Sequence, residues 1–497
     1  MIKDLIFACP EEEGLSSKNI EKFLDKLEKR RINLHSFMFV RRGKILTEGY
    51  YAPYDENKPH RLFSCSKSVV SLAIGKLIGE GKIKITDKIV EFFPEYAPKE
   101  PCKWFKEYTI EDALKMSAPM AGVISVTKPT VTNWLKDAIE TYSKEENCNR
   151  PAGTVYAYDT TNTYFLSAIV EKVTGKDFLD YLRPEFDKIG VSKDVWCVKY
   201  PEGKSWSGSG IMLTLRDFAK VGELVHNKGK FNGEELIPYW YMEKATSKQI
   251  NNNQTAHYSG QGTQGYGYQI WINPCGYHFS GLAGQFVFCN PEKDFMFVCM
   301  ADLYRGALNG DYIYDALEEI IYDNLSDAPI IDDGKNYLSL KSRLSNLEQF
   351  KAYGEKYSSL EDKINGAKYT LKNNRMGWKW FKFDFETDKV KLTYENDRGV
   401  KSIEYGRNEF ISATFPETHY YDVRMHHPSN REFDARFNAS WQEENKLLLR
   451  NYIVDINLAN CYMNFIFKGD EVGVVMNVDA ELMLEEYQGV AGGYIEK

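Results

Sequence analysis

Phe63-Ser64-Cys65-Ser66-Lys67-Ser68-Val69-Val70 opens a run that stays apolar through Leu72, Ala73, Ile74, Leu77 and Ile78 and reaches Gly81. Apolar residues on most faces of the helix predict burial in the middle of a domain, with Gly81 as the C-terminal cap. At its start Ser64 and Lys67 are three residues apart, so they share one face with Cβ atoms about 5–6 Å apart. A serine hydroxyl is a weak nucleophile until a base takes its proton. The helix N-terminus favours developing negative charge, and burial in that field lowers a lysine amine from its ordinary value of about 10.4. Ser64 is therefore the candidate nucleophile and Lys67 its base, while Cys65 reads as a small packed residue.

Outward from this helix the period of the pattern changes. Before it, Ile20, Phe23, Leu24 and Leu27 mark an amphipathic helix, and His35–Val40 with Ile45–Tyr51 mark a hairpin around Arg41-Arg42-Gly43-Lys44. After it, residues 85–225 are mostly helical, with capping-box starts at Thr109-Ile110-Glu111-Asp112 and Thr214-Leu215-Arg216-Asp217 and a helix over Tyr164–Thr174 closed by Gly175. Strands return at Tyr266–Asn273, Tyr277–Gly281, Gln285–Asn290 and Phe295–Ala301, followed by a helix over Asp311–Leu325. An α/β (α+β) domain is predicted, its antiparallel sheet built from both ends of the segment, flanked by helices and carrying a helical subdomain.

A chain of 497 residues exceeds what one core usually supports. The expected division is a catalytic domain over 1–330, a linker with a helix over 331–354, and an all-β domain, barrel or sandwich, over 355–497. Alternating runs such as Trp378-Lys379-Trp380-Phe381-Lys382-Phe383-Asp384-Phe385 carry that last assignment. Its aromatic strands fit core packing, a lid, or a separate binding module.

A net charge of −8 without a basic stripe argues against nucleic acid as a partner. No apolar run reaches the roughly 20 residues of a membrane span, and Met1–Glu13 turns acidic before any signal-like stretch, so a cytoplasmic protein with no membrane partner is expected. Nine cysteines without paired CxxC spacing fit reduced thiols. His426-His427 are adjacent and diverge, with no ligand spacing nearby, so no metal and no cofactor is expected. Gly260-Gln261-Gly262-Thr263-Gln264-Gly265 lacks the Lys-Ser or Lys-Thr of a phosphate loop, and no strand-to-helix Gly-x-Ser-x-Gly elbow is present.

The Ser64–Val70 stretch, the following Gly79-Glu80-Gly81-Lys82-Ile83, Ile85-Thr86-Asp87-Lys88, Tyr108–Leu114 and Gly208–Asp217 together resemble the serine β-lactamase and penicillin-binding protein superfamily. The likeness runs over roughly residues 10–325 and is greatest to the class C branch with its related esterases and 6-aminohexanoate-dimer-type amidases. It implies a Tyr-x-Asn second motif whose tyrosine shuttles protons with the lysine. Gly153-Thr154-Val155-Tyr156-Ala157-Tyr158-Asp159-Thr160, ahead of a helix, puts Tyr158 there, with Thr160 in place of asparagine and Tyr156 as the competing tyrosine.

The resemblance also implies a third motif, Lys-Thr-Gly or His-x-Gly, on a strand beside the nucleophile. Tyr277-His278-Phe279-Ser280-Gly281-Leu282-Ala283-Gly284-Gln285 aligns on Gly281, which puts Phe279 where the cation belongs and His278 on the opposite strand face. The implied oxyanion hole is the backbone N–H of Ser64 and of Leu282, and the implied substrate contacts are Thr160, Ser280, Gly281 and Gln285. The expected activity is that of an esterase or amidase working through an acyl-enzyme on a small ester or amide. A β-lactamase and a catalytically weak binding or regulatory protein on the same scaffold remain the alternatives.

Overall fold

The computed structural model describes residues 6–120, 133–200, 202–253, 260–303, 309–331, 333–420, 432–480 and 483–496. The chain divides into two compact units, 1–51 with 55–347, and 52–54 with 348–497.

In the first unit six strands form one antiparallel sheet: β1 (Leu34–Arg41), β2 (Lys44–Tyr50), β3 (Trp271–Asn273), β4 (Gly276–Gly281), β5 (Gln285–Asn290) and β6 (Phe295–Ala301), in the order β2-β1-β6-β5-β4-β3. The N-terminal hairpin thus lies against the last strand, with Phe37 opposite Cys299 and Phe39 opposite Phe297. One face of the sheet packs on α1 (Ser17–Lys29) through Phe23, which meets the rings of Phe39 and Phe297 edge-on at 5.4 and 5.3 Å. The other face packs on the helix Leu215–His226, where Gly222 lies against Met296 and Val287; the helix α2 (Ser66–Gly79) shares that core, and every residue from Ser66 to Leu77 is buried. Lys76 is accommodated there because its amine meets Glu185 Oε2 at 2.5 Å and the Tyr181 carbonyl at 3.0 Å.

Local signals are realised where their chemistry is complete. Gly81 takes a left-handed φ of 69° after α2, and Gly175 one of 72° after α3 (Thr160–Thr174). Thr109 and Asp112 exchange both capping-box hydrogen bonds, whereas at α4 (Leu215–His226) only Thr214 caps, because the Asp217 carboxylate is turned to the Ser192 N–H at 3.0 Å. The strand expected over Tyr266–Asn273 is shortened to Trp271–Asn273. Gln269 is left-handed at φ 60° and the Gly267 N–H closes a turn on the Ile270 carbonyl, which interrupts the alternation. The helix expected over Asp311–Leu325 is α-helical over Asn309–Ala316 and then widens to a π turn over Leu317–Ile321.

The second unit is a barrel. Ten strands run β7 (Lys368–Leu371), β8 (Trp380–Phe385), β9 (Lys389–Asn396), β10 (Gly399–Arg407), β11 (Ile411–Phe415), β12 (Phe433–Glu443), β13 (Lys446–Val454), β14 (Leu458–Lys468), β15 (Glu471–Ala480) and β16 (Gly489–Ile495). Neighbours follow the order β10-β9-β8-β7-β16-β15-β14-β13-β12-β11, and a parallel pairing of Gly406 and Arg407 with Asn438 and Ala439 closes nine of them into a ring. Alternate residues face inward, so Tyr369, Phe381, Phe383, Trp441, Phe465 and Phe467 fill the interior as a packed core. No described helix in either unit is long and apolar enough to cross a membrane. His426-His427 lie outside the described residues.

Candidate active site

Ser64 is the middle residue of a 3-10 turn, Phe63–Cys65, that leads directly into α2. Phe63 is held at φ 48°, a left-handed conformation that a bulky side chain adopts only when its surroundings impose it. The constraint is visible on both sides. The Arg61 guanidinium stacks on the Phe63 ring at 4.1 Å and on Trp206 at 4.4 Å, and it binds the Ser209 carbonyl and hydroxyl at 3.0 and 2.9 Å. The Leu62 N–H is tied to the Ile211 carbonyl at 2.8 Å. Between these anchors the turn holds the Ser64 hydroxyl within reach of the first turn of α2.

Lys67 lies one turn in. Its Nζ is 3.0 Å from Ser64 Oγ and 2.7 Å from the Gly208 carbonyl. It also stands over the ring of Tyr158, 5.1 Å from the centroid. Burial disfavours its charge and brings the amine down to about 7, against an opposing pull from Asp159; the Arg61 cation adds to the depression. At neutral pH a substantial fraction of Lys67 is therefore the free amine, which can accept a proton from the hydroxyl it touches. Gly208 leaves room for Thr160 beside this contact: a Cβ there would fall 2.4 Å from Thr160 Cγ2 and in ordinary contact, 3.5 Å, with Lys67 Nζ.

The two tyrosines are placed differently. Tyr156 is buried against Tyr266 and Trp271 at 5.2 and 6.2 Å, inside a small aromatic cluster with Met116. Tyr158 is only partly buried, stacks on Trp271 at 5.5 Å and turns its other face toward Lys67. Thr160 is the first residue of α3, partly exposed beside Gly208.

On the opposite wall β4 ends against the turn that carries Ser64. A Cβ on Gly281 would fall 2.3 Å from the Leu62 carbonyl and 3.3 Å from Cys65 Sγ, so the strand reaches Ser64 only because residue 281 has no side chain. Leu282 opens the loop to Gln285 with its side chain 41% exposed, and Ser280 is partly exposed. Gln285 is fully buried. Its amide donates to the Leu282 and Ala301 carbonyls at 3.1 and 2.8 Å, so it holds the loop in shape and does not face a ligand, contrary to its expected role as a substrate contact. Cys65 is the packed thiol expected: burial pushes it well up, and it donates to the Gln285 carbonyl at 3.1 Å.

Phe279 is fully buried against Phe218 of α4, ring centroids 6.3 Å apart, and supplies no charge. His278 points the other way, between Trp271 and Phe288, and burial holds it down to about 3, so it too is neutral at ordinary pH. Among the described residues one group, Glu417, His419 and Glu486 in the barrel, has the makings of a metal set. Its geometry is that of an ion bridge. The two ring nitrogens of His419 face different carboxylates, Glu417 at 3.3 Å and Glu486 at 3.1 Å, and Glu417 already holds Lys401 at 3.1 Å.

A family model described as Beta-lactamase matches residues 18–317, more than half of the chain. The chain belongs to the β-lactamase family. Among curated proteins a 6-aminohexanoate-dimer hydrolase of Paenarthrobacter ureafaciens is 26% identical over 220 residues, 42% of this chain and 56% of that protein's length. Among solved structures, an octameric penicillin-binding protein homologue from Pyrococcus abyssi aligns over 96% of this chain and 99% of its own, with 16% identity and a TM-score of 0.50. A penicillin-binding protein homologue from Caulobacter crescentus aligns over 65% of this chain and 100% of its own, with 18% identity and a TM-score of 0.50. These likenesses concern fold. In this β-lactamase-family chain the residues that sequence patterns did not single out are Arg61 and Phe63, which set the turn, Gly208, which receives Lys67, and Trp271, which backs Tyr158. Phe63, Gly208 and Trp271 lie inside stretches that the sequence marks, but no pattern there signals their part in the site.

Proposed function

We propose that this chain is a serine hydrolase that cleaves an ester or amide through an acyl-enzyme. The observation that carries the reading is the 3.0 Å contact between Ser64 Oγ and a buried Lys67 amine brought down to about 7. In this scheme Lys67 takes the Ser64 proton as Oγ attacks the carbonyl carbon, and the carbonyl oxygen becomes an oxyanion received by the N–H groups of Ser64 and Leu282. Collapse of the tetrahedral intermediate breaks the bond to the leaving group, which takes a proton relayed through Lys67 and Tyr158. Water, activated by the same pair, then attacks the acyl-enzyme and returns Ser64. Thr160, Ser280 and Gly281 border the space a substrate would occupy.

The substrate reading follows from charge. With Phe279 apolar and His278 neutral, the third-motif strand offers no cation to a carboxylate, which favours simple esters and amides over β-lactams. Family membership and the named hydrolase relative support a hydrolase and leave the substrate open. The test combines a fluorophosphonate probe with p-nitrophenyl esters, amides and β-lactams, on the parent protein and on Ser64→Ala. Labelling and turnover that both disappear in Ser64→Ala are expected. Labelling that persists in the variant removes the assignment, and acylation without turnover favours a binding role.

A further inference from the structure

Asp159 stands between Tyr158 and Thr160, and the proposed chemistry leaves it without a role. Its side chain is 2% exposed. Oδ1 accepts the Thr161 N–H at 2.9 Å as the N-cap of α3, and Oδ2 accepts the hydroxyl of Tyr142. Its backbone carbonyl accepts from the side chain of Asn162 at 3.0 Å, and Asn162 in turn accepts the Tyr108 hydroxyl at 2.5 Å. A helix cap alone does not call for this arrangement. Serine, threonine or asparagine cap as well, and a buried carboxylate is costly unless its charge is used.

Resting on the hydrolase reading above, we propose that Asp159 is a positioning residue. Its carboxylate, clamped between Tyr142 and the start of α3, fixes the backbone that presents Tyr158 to Lys67, and its buried charge acts through space on the Lys67 amine. Among the described residues the charges around the pair are few. Lys67 interacts with Asp159, with the Cys65 thiol, which burial keeps protonated, and with the Arg61 cation. Asp159 interacts with Lys67, Tyr142, Tyr108 and the more distant Arg150. Burial raises the carboxyl and its hydrogen bonds pull it back, while its negative charge works against the depression of Lys67. The anion thus keeps the amine from becoming too weak a base.

The experiment is the pH profile of kcat/KM for p-nitrophenyl ester hydrolysis by the full chain, parent against Asp159→Asn. The asparagine retains the cap and can bond Tyr142, but it removes the charge. Without the anion Lys67 loses its proton more easily, so the acid limb is expected to move down by about one pH unit, the lower end of the effect of a nearby opposite charge. A helix cap or a packing residue would change rate or melting temperature and leave the limb in place. A limb unmoved in a folded Asp159→Asn protein overturns the inference. If that variant does not fold, Tyr142→Phe carries the test. That variant takes a donor from the carboxylate, which raises the Asp159 carboxyl and weakens the anion acting on Lys67, so the limb should again move down, and an unmoved or raised limb overturns the inference. Absence of Ser64-dependent labelling in the parent protein sinks the hydrolase reading itself, a result distinct from either.

Discussion

Replacing Gly281 by alanine adds one methyl group at the point where β4 touches the turn that carries Ser64. The backbone there is not left-handed, so the effect is one of space. The new Cβ would lie 2.3 Å from the Leu62 carbonyl oxygen and 3.0 Å from Gln285 Cβ. A carbon–oxygen contact relaxes to about 3.3 Å, so strand and turn must separate by about 1 Å. The Leu62 carbonyl cannot yield freely, because the Leu62 N–H is bound to Ile211 and Phe63 is already strained. The displacement therefore falls on Leu282, whose N–H is assigned to the oxyanion. A misplacement of that size costs about 10²-fold in rate, in line with the ~10² to 10³ lost when an oxyanion donor is removed. Crowding of this kind destabilises by about 1–3 kcal/mol. The assay is the rate of Ser64 acylation by a fluorophosphonate and of p-nitrophenyl ester hydrolysis, with thermal melting alongside. Gly81→Ala is the control: its Cβ would meet nothing within 4 Å, but φ is 69°, so it should lower the melting temperature and leave the rate alone. A Gly281→Ala protein that acylates at the parent rate would refute the placement of the oxyanion site beside Gly281.

Two further outcomes follow from buried charge. Restoring a cation at the third motif by Phe279→Lys should lower the melting temperature by an amount corresponding to about 3–5 kcal/mol, because the site is a fully buried pocket beside Phe218, and should bring no hydrolysis of a chromogenic cephalosporin; a stable variant that gains that activity would contradict the packing described. In the barrel, burial would lower His419 but its bonds to Glu417 and Glu486 raise it, so its contribution is complete below its ordinary value of about 6.5 and is lost as pH rises through the raised value. Glu417 is held down to about 2 by His419 and Lys401 against the effect of burial, so its own contribution disappears only in strong acid. Melting of the parent protein should accordingly weaken as pH climbs above neutral, and His419→Gln should flatten that part of the curve; identical pH dependence in the two proteins would exclude the bridge.

The fold was legible wherever a local pattern has one solution. Helix α2 could be read from Val69 to Leu77 because an element apolar on every side has nowhere to go but the core, and the hairpins at residues 41–44 and 291–294 were marked by short polar turns between β-rich runs. Barrel against sandwich could not be decided, because closure depends on Gly406 and Arg407 meeting Asn438 and Ala439, a long-range parallel pairing with no local signature. The broken strand before Trp271 escaped for a related reason. Gly267 sits where a Cβ would fall 2.1 Å from the Ala245 carbonyl, a constraint set by a distant helix. In the site, the contact of Ser64 with Lys67 was legible because a three-residue spacing on a helix puts them on one face, whereas Gly281 was marked by the resemblance to the superfamily's third motif and not by spacing. Gln285, expected at the substrate from the resemblance of this segment to esterase and amidase members, is buried instead, because that likeness does not reveal that its amide is consumed by the Leu282 and Ala301 carbonyls.

Asp159 shows why the site's electrostatics were the least legible part. In sequence it is the middle residue of Tyr158-Asp159-Thr160 and an ordinary helix cap; only the fold brings Tyr142 onto its second oxygen and Lys67 into its field. The division of labour this implies is physical. Oxyanion donors are backbone groups and survive any side-chain change that preserves the approach of Gly281 to Leu62. Recognition of a carboxylate, by contrast, rests on a side-chain cation and is lost with a single substitution such as phenylalanine at 279. Interactions made only in the transition state determine the rate, and those made with the resting substrate determine which molecule is bound. A chain that keeps the first set while replacing the second retains the means to acylate Ser64 and changes what is offered to it. In the proposed reading, therefore, the neutral pair Phe279 and His278 redirects the family's chemistry without weakening it, and the base strength of Lys67, lowered by burial against the pull of Asp159, remains the quantity on which the rate depends.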